Sequence, residues 1–313
     1  MTAERFQAIE REGGCVDLTD RAKFRLTGRD RVRFLNGQVT NDVRTANARD
    51  TLYACVTDIK GRVCGDVFIH AAPDGEALFL DAEPPLREAL GARLERYIIA
   101  DDVELADVSD EWKLRHVFGP AAPSVGHGAW GENAVGARCL KANRIGCEGI
   151  DVWVPAVNPP PGAVPPVLSA DEFETLRIVR GVPRFPSELN TDTFPPEAGL
   201  DARAMSYTKG CYIGQEILSR IRTTGRMPRE LVRWQATGKD MTVEPGDALF
   251  SPCAADLQII GMVTSVAWHP ALERRVGLAF LRQGFAGADS ELPAGSDAPR
   301  IAARVKISPV LKQ

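Results

Sequence analysis

Hydrophobic side chains recur at four-residue spacing in several stretches of the chain, and this spacing predicts amphipathic helices. One set consists of Leu86, Leu90, Leu94 and Ile98, and another of Ile213, Ile217 and Ile221. A helix is also predicted to begin at Ser169, which forms a capping box with Glu172, and to end near Gly181. Asp30 is predicted to cap a shorter helix with its carboxylate.

Runs rich in β-branched and aromatic residues predict strands in two parts of the chain. Residues 51–57 and 62–70 form one pair, with 58–61 as the hairpin between them. Beyond residue 226, short strands follow one another, namely 231–236, 248–251, 259–268, 276–281 and 302–307. Short strands separated by turns in this way indicate a small β-barrel.

This change of pattern divides the chain near residue 226. We predict an α+β fold in which residues 1–225 form one region, with an inner subdomain at about 50–110, and residues 226–313 form a C-terminal β-barrel domain. Two stretches rich in proline, glycine or alanine, residues 119–131 and 155–166, are expected to cross the surface as loops.

Composition narrows the function classes without choosing one. The chain has 313 residues and a net charge of −4, which argues against a dedicated DNA-binding protein. Its seven cysteines include no C-x-x-C pair, so a reducing compartment fits better than a disulfide or zinc framework. No apolar run reaches membrane-spanning length, and the acid-bearing first residues do not resemble a targeting peptide. We therefore expect a cytoplasmic protein that does not bind DNA or a membrane; contact with tRNA is left open.

One cysteine lies in an unusual setting, the sequence Lys209-Gly210-Cys211-Tyr212-Ile213-Gly214-Gln215-Glu216. If a helix begins within this stretch, Cys211 stands at its N-terminus beside Lys209. The helix dipole and a nearby ammonium group both favour a reactive thiolate. A small buried cysteine that fills a gap is the plainer interpretation. The cationic neighbour, the glycines and the polar Gln-Glu pair favour a functional cysteine.

Asp66 is an acid inside an apolar predicted strand. Burying a carboxylate is costly unless the carboxylate is paired or faces a ligand cavity, so Asp66 is a candidate binding residue. An outward-facing aspartate is the simpler explanation. The adjacent pair Asp101-Asp102 is interpreted as a solvated turn, because no third metal ligand accompanies it.

Residues 209–216 resemble the Lys-Gly-Cys-Tyr-x-Gly-Gln-Glu signature of the YgfZ family of folate-binding proteins. That family is similar in fold to the aminomethyltransferase, or T protein, of the glycine cleavage system. Residues 34–43, with the sequence Phe-Leu-Asn-Gly-Gln-Val-Thr-Asn-Asp-Val, resemble the family's N-terminal motif. The resemblance runs from about Leu18 to the C-terminal barrel. It implies an aminomethyltransferase-like fold of two α+β parts and a barrel around a folate channel, with tetrahydrofolate as the ligand.

The resemblance also implies roles for single residues. Cys211 and Lys209 are the candidate catalytic residues. The candidate folate-binding residues are Asp66, Arg177, Glu197, Tyr212, Arg222 and Arg226, of which the last two would pair with the glutamate tail. Aminomethyltransferases carry an acid where this chain has Gly65 and a pterin-holding Glu where it has Val179. Glu197 is the candidate replacement for that Glu, although a helix-start acid after prolines is an equally good interpretation.

Three functions from different classes follow. The first is a tetrahydrofolate-binding protein that supports iron–sulfur cluster assembly or repair, with iron–sulfur enzymes or assembly proteins as partners. The second is a folate-dependent aminomethyl or one-carbon transferase that uses Asp66. The third is a folate-binding scaffold without chemistry of its own. The presence of Cys211 within its full signature favours the iron–sulfur role, whereas Asp66 supports the transferase as an alternative.

Overall fold

A computed structural model describes residues 1–120, 122, 136–157, 166–239, 241–252, 257–285, 287, 290–296 and 301–310. Most of the loop predicted over residues 119–131 and the middle of the proline-rich stretch 155–166 lie outside these residues. No helix among the described residues is long and apolar enough to cross a membrane.

Four of the five helices whose bounds lie among the described residues overlap helices predicted from the sequence. The five are α1 (Ala3–Glu12), α2 (Arg31–Gln38), α3 (Arg87–Arg96), α4 (Ala170–Val179) and α5 (Gln215–Thr224), of which α1 was not predicted. Short 3-10 turns cover Val43–Thr45, Pro84–Leu86 and Pro195–Ala198. The capping box of Ser169 and Glu172 is confirmed. Asp30 is the N-cap residue of α2 as predicted, but its carboxylate makes no capping bond and accepts instead from the backbone N–H of Asp102 at 2.9 Å.

The strands of the described residues fall into three antiparallel sheets. In chain order they are β1 (Gly14–Asp17), β2 (Ala22–Thr27), β3 (Leu52–Thr57), β4 (Val63–Ala71), β5 (Leu78–Ala82), β6 (Glu104–Asp107), β7 (Trp112–Phe118), β8 (Arg138–Ala142), β9 (Gly149–Pro155), β10 (Arg229–Ala236), β11 (Ala248–Phe250), β12 (Ile259–His269), β13 (Arg274–Arg282), β14 (Glu291–Gly295) and β15 (Ile301–Pro309). The first sheet has the order β1-β7-β9-β8, and the second has the order β3-β4-β5-β2-β6.

The second sheet has one apolar face and one face that carries polar groups. Alternate residues such as Ala54, Val67 and Leu80 point into a core that includes side chains of α2 and α3. The residues between them point the other way, because successive strand side chains alternate. Those residues include Asp66 and Asp81, and both are buried. The polar face therefore lies inside the protein, away from solvent.

The C-terminal strands close into a barrel with the order β10-β13-β12-β11-β14-β15, and β15 returns to pair with β10. Its interior is apolar and includes Val232, Trp234, Leu249 and Val305. The predicted α+β fold with a terminal β-barrel is confirmed.

Candidate functional site

A cavity lies on the polar inner face of the second sheet. Its enclosed volume is about 40 Å³, and the recess as a whole, counted with its open mouth, measures about 540 Å³. The charged and phenolic lining residues are Arg21, Tyr53, Asp66, Glu83, Arg144, Arg177, Arg184 and Arg203. Phe173, Arg184 and Arg203 are only partly buried, so they form the more accessible part of the wall. This cavity joins chain segments that are far apart in sequence.

Asp66 faces this cavity and is 6% exposed, so the simpler explanation of an outward-facing aspartate is wrong. The hydroxyl of Tyr53 donates to Asp66 Oδ2 at 3.0 Å. Asp66 Oδ1 is buried and has no hydrogen-bond partner among the described residues. Burial raises the pKa of Asp66 to about 6, even though the guanidinium of Arg21 acts in the opposite direction. The site thus holds a carboxylate with one oxygen engaged and one available.

A network of buried ion pairs surrounds Asp66. Arg144 donates to both carboxylate oxygens of Asp81, at 2.9 and 2.7 Å, and to Asp151 at 2.8 Å. Arg21 pairs with Asp81 and Glu83. Burial raises the pKa of Asp81, but the two arginines lower it by more, so that Asp81 stays ionised. Unlike Asp66, these acids are fully paired.

This network of buried ion pairs was not predicted, although the sequence carries a signal for it. Asp81 follows Leu80 and precedes Ala82, so it is an acid inside an apolar strand, as Asp66 is. Asp151, which accepts from His116 Nδ1 at 2.8 Å, has the same pattern in β9. The same rule that selected Asp66 would have selected both.

Arg177 lines the cavity, but its guanidinium is already engaged. It donates to Glu188 at 2.8 Å, to Ser265 Oγ at 2.7 Å and to Glu174 at 3.0 Å. These bonds join α4 to strand β12 of the barrel, which indicates a structural role. Val179, two residues later, does not line the cavity and packs against neighbouring core clusters.

Glu197 lies apart from the cavity, among the residues that join the first region to the barrel. Its Oε2 accepts from the backbone N–H of Phe194 at 3.0 Å and from Arg229 Nε at 3.3 Å. It is 1% exposed and is not a lining residue. The structure therefore matches the interpretation of Glu197 as a helix-start acid and does not place it as a replacement pterin acceptor.

The two sequence motifs pack against each other. The ammonium group of Lys209 donates to the backbone carbonyls of Asn36, Val39 and Asn41, at 2.6, 2.8 and 2.6 Å. The backbone N–H of Ile213 also donates to the carbonyl of Gly37 at 3.2 Å. Burial lowers the pKa of Lys209 to about 8. Lys209 thus holds residues 34–43 and 209–216 together.

Cys211 is exposed on this docked loop, and the prediction that it lies at a helix N-terminus is wrong. Helix α5 begins at Gln215 with Gly214 as its N-cap. Gly214 has a φ of +87°, and a Cβ there would lie 2.5 Å from the carbonyl oxygen of Asp58, so the loop passes close to the β3–β4 hairpin before the helix starts. The Lys209 ammonium is held by three carbonyls, so it is not available as a local activator of the thiol.

The remaining candidates lie outside the cavity lining. Tyr212 is 8% exposed, packs against Met205 and Leu218, and lies with its ring centroid 5.1 Å from the Lys209 ammonium. Arg222 is exposed and stacks on the ring of Tyr207 at 3.8 Å. Arg226 is exposed as well. Two of the predicted site residues, Asp66 and Arg177, therefore line the cavity. Three others, Lys209, Cys211 and Tyr212, lie together in the docked motifs.

Asn41 links the docked motifs to the cavity. Its amide donates to the backbone carbonyl of Tyr53 at 2.9 Å and to that of Arg203 at 3.2 Å. The side chains of Tyr53 and Arg203 both line the cavity. The motif of residues 34–43 therefore supports two walls of the Asp66 cavity from behind.

The fold and the site define a class of protein. In this class, two antiparallel sheets with packed helices surround a buried cluster of carboxylates, and a closed β-barrel forms the C-terminal part of the chain. The chain belongs to the glycine cleavage T-protein family. The GCVT N-terminal domain matches residues 1–157, and the glycine cleavage T-protein C-terminal barrel domain matches residues 229–312.

Individual proteins similar to this chain are named aminomethyltransferases, in agreement with the family assignment. The chain is 25% identical over 338 residues to the aminomethyltransferase of Anoxybacillus flavithermus, with 99% of this chain and 90% of the relative covered. It is 26% identical over 298 residues to the aminomethyltransferase of Rubrobacter xylanophilus, covering 88% and 77% of the two chains. The crystal structure of the glycine cleavage system aminomethyltransferase T from Bartonella henselae matches with a TM-score of 0.74 at 14% identity, covering 99% of this chain and 89% of that one. This last likeness concerns the fold.

Proposed function

We propose that this protein binds tetrahydrofolate or a close derivative, with Asp66 as the residue that anchors the pterin. The observation that carries the proposal is the buried Oδ1 of Asp66, which has no partner among the described residues. A carboxylate oxygen accepts hydrogen bonds, and a reduced pterin presents several N–H donors. A bound pterin would therefore supply the partner that Asp66 lacks.

The size of the cavity sets a condition on binding. Ligand sites of this kind usually enclose about 300–1,000 Å³, whereas the enclosed volume here is about 40 Å³. Folate entry therefore requires side chains at the mouth to move. The partly buried lining residues Phe173, Arg184 and Arg203 are the ones placed to do so.

Titration calorimetry with 5-formyl-tetrahydrofolate tests this proposal. We expect saturable binding by the wild-type protein and a loss of at least about tenfold in affinity for Asp66→Asn, because a charged acceptor is removed. Asp110→Asn is the matched control, since the Asp110 side chain is 88% exposed. A wild-type protein that shows no binding at millimolar ligand would contradict the proposal.

We further propose that the folate-bound protein supports iron–sulfur cluster assembly or repair through Cys211. Two features support this role. Cys211 is exposed, and the loop that carries it is anchored by the buried Lys209 rather than left loose. The finer resemblance of residues 209–216 to the YgfZ signature points to the same role.

Two measurements on Cys211 test the iron–sulfur proposal. Burial raises the pKa of Cys15 to about 11 and raises that of Cys55, so Cys211 should alkylate fastest among the described cysteines at neutral pH. In a strain that lacks the protein, Cys211→Ser should fail to restore iron–sulfur enzyme activity, whereas Cys139→Ser should restore it. Full rescue by Cys211→Ser would leave a folate-binding scaffold.

A second candidate function is aminomethyl transfer. The geometry at Gly65 is compatible with this function. A Cβ at Gly65 would lie 2.7 Å from the side chain of Leu86, so position 65 points toward the 3-10 turn Pro84–Leu86 that precedes α3 and not into the cavity. The acid missing at this position therefore removes no group from the Asp66 site. Turnover in a reconstituted glycine cleavage assay with lipoyl carrier protein would favour aminomethyl transfer over the iron–sulfur role. We expect no turnover, because the acid other than Asp66 in the described cavity lining is Glu83, and its pairs with Arg21 and Arg184 leave it unable to replace the pterin-holding Glu.

A further inference from the structure

We infer that Tyr53 is the positioning residue of this site, and that its hydroxyl holds Asp66 so that Oδ1 alone faces the ligand. The inference deepens the proposed folate site and rests on it. Tyr53 and Asp66 stand on neighbouring antiparallel strands and both point to the inner face of the sheet. The 3.0 Å bond from the tyrosine hydroxyl to Oδ2 joins them.

The tyrosine is held firmly enough to act as a positioning group. It is 7% exposed, and its ring packs against Phe68 with a centroid distance of 4.6 Å. The amide of Asn41 fixes its backbone carbonyl at 2.9 Å. A side chain fixed by packing and by backbone contacts orients its partner without reorganisation.

The bond has a definite polarity. Burial raises the pKa of Tyr53 well above its ordinary value, so the phenol keeps its proton and acts as the donor. A donor stabilises the ionised form of a carboxylate and therefore lowers its pKa. The other titratable or charged groups around Asp66 are those whose charges act on it, namely Arg21, Cys55, Asp81, Glu83 and Arg203, and the further cavity-lining arginines Arg144, Arg177 and Arg184. Tyr53 is the one that bonds it directly among the described residues.

The consequence is that Tyr53 sets the pH range of folate binding. Folate anchored by ionised Asp66 binds less well as pH falls through the Asp66 pKa of about 6. Without the phenol, that pKa rises further and the midpoint of the affinity profile moves to higher pH. If the rise is about one unit, affinity falls about fivefold at pH 6 and less than about twofold at pH 8.

The test compares folate affinity between pH 5.5 and pH 8.5 in the wild type, Tyr53→Phe and Tyr97→Phe. Phenylalanine keeps the ring and removes only the hydroxyl. Tyr97 is a partly buried tyrosine outside the cavity lining and serves as the control. We expect the midpoint to move upward in Tyr53→Phe and to stay unchanged in Tyr97→Phe. An unmoved midpoint in Tyr53→Phe would overturn the inference.

A ligand-free measurement separates this inference from the proposed function. The Asp66 carboxyl carbon can be titrated by ¹³C NMR in the wild type and in Tyr53→Phe. A higher Asp66 pKa in the variant supports the positioning role even if folate does not bind, in which case the proposed function alone fails. Equal Asp66 pKa values in two folded proteins would overturn the positioning role while leaving folate binding untouched.

Discussion

Asp66 differs from the other inner-face carboxylates in how its charge is balanced. Asp81 and Glu83 share the guanidinium groups of Arg21, Arg144 and Arg184. Asp66 has a neutral phenol as its direct partner and an unpaired second oxygen. A buried group that is left without a partner lowers the stability of the fold. A carboxylate at position 66 therefore lowers the stability of the fold relative to an amide of the same shape.

Asp66→Asn should therefore stabilise the protein increasingly as pH rises. The protonated Asp66 contributes stability below its unfolded pKa of about 3.9, and that contribution is lost as pH rises through its folded pKa of about 6. The variant has no such loss. Its free energy of unfolding relative to the wild type should increase by about 1–1.5 kcal/mol between pH 5 and pH 8.

Urea unfolding of both proteins at the two pH values measures this difference. Asp110→Asn provides the comparison for an exposed aspartate, and its change between the two pH values is the reference against which that of Asp66→Asn is judged. An equal difference at the two pH values would mean that Asp66 is already ionised at pH 5 in the native protein and would contradict this prediction.

Single residues show what the sequence reveals about the site and what it does not. An acid between apolar neighbours marks Asp66, and the same mark is present at Asp81 and Asp151. Which of the three keeps an unpaired oxygen depends on Arg21 and Arg144, which come from distant parts of the chain. Pairing of this kind is decided by tertiary packing, so no local pattern encodes it.

At the scale of elements, periodicity and turn chemistry predicted α2 to α5, the β3–β4 hairpin and five of the six barrel strands, but not α1, β5 or the strands β7 to β9. The predicted start of α5 was too early, because the sequence does not show that Gly214 packs against the β3–β4 hairpin. Its missing side chain leaves room for the Asp58 carbonyl oxygen and for Gly61, whose Cα would lie 2.8 Å from a Cβ at position 214. This contact fixes where the Cys211 loop ends and the helix begins.

Gly214→Ala should consequently destabilise the protein by about 2–4 kcal/mol, because it combines a left-handed backbone with an overpacked contact. Gly210→Ala, four residues earlier, is the matched control. A Cβ at Gly210 meets no described atom within 4 Å, so its effect should stay within about 0.5 kcal/mol. Thermal and urea unfolding of the two variants compare them. Equal stabilities would mean that the loop adjusts freely around Gly214.

At the scale of the whole molecule, one arginine joins the first two sheets. Arg144 follows β8, and it binds Asp151 of the first sheet and Asp81 of the second. It is 7% exposed, and both acids are fully buried. The packing of one sheet on the other therefore includes an ionic contact beside its apolar clusters.

Arg144→Met should lower the free energy of unfolding by about 3–5 kcal/mol, because two buried carboxylates lose their shared cation. Arg87→Met removes an arginine that also binds two aspartates, Asp107 and Asp110, but at the surface. Its effect should be small, since exposed ion pairs contribute little. Urea unfolding of both variants provides the measurement, and comparable losses would argue against a special role for the buried contact.

Closure of the barrel has a consequence for how the chain is made. Ala236 of β10 pairs with Val305 of β15, about seventy residues later. On a ribosome adding about 5–20 residues per second, β10 waits for roughly 4–14 s before its last neighbour exists. During that interval one edge of β10 carries unpaired backbone groups, which are a template for association with other chains. Slowing translation within residues 237–300 should therefore lower the soluble yield more than slowing it within residues 1–60.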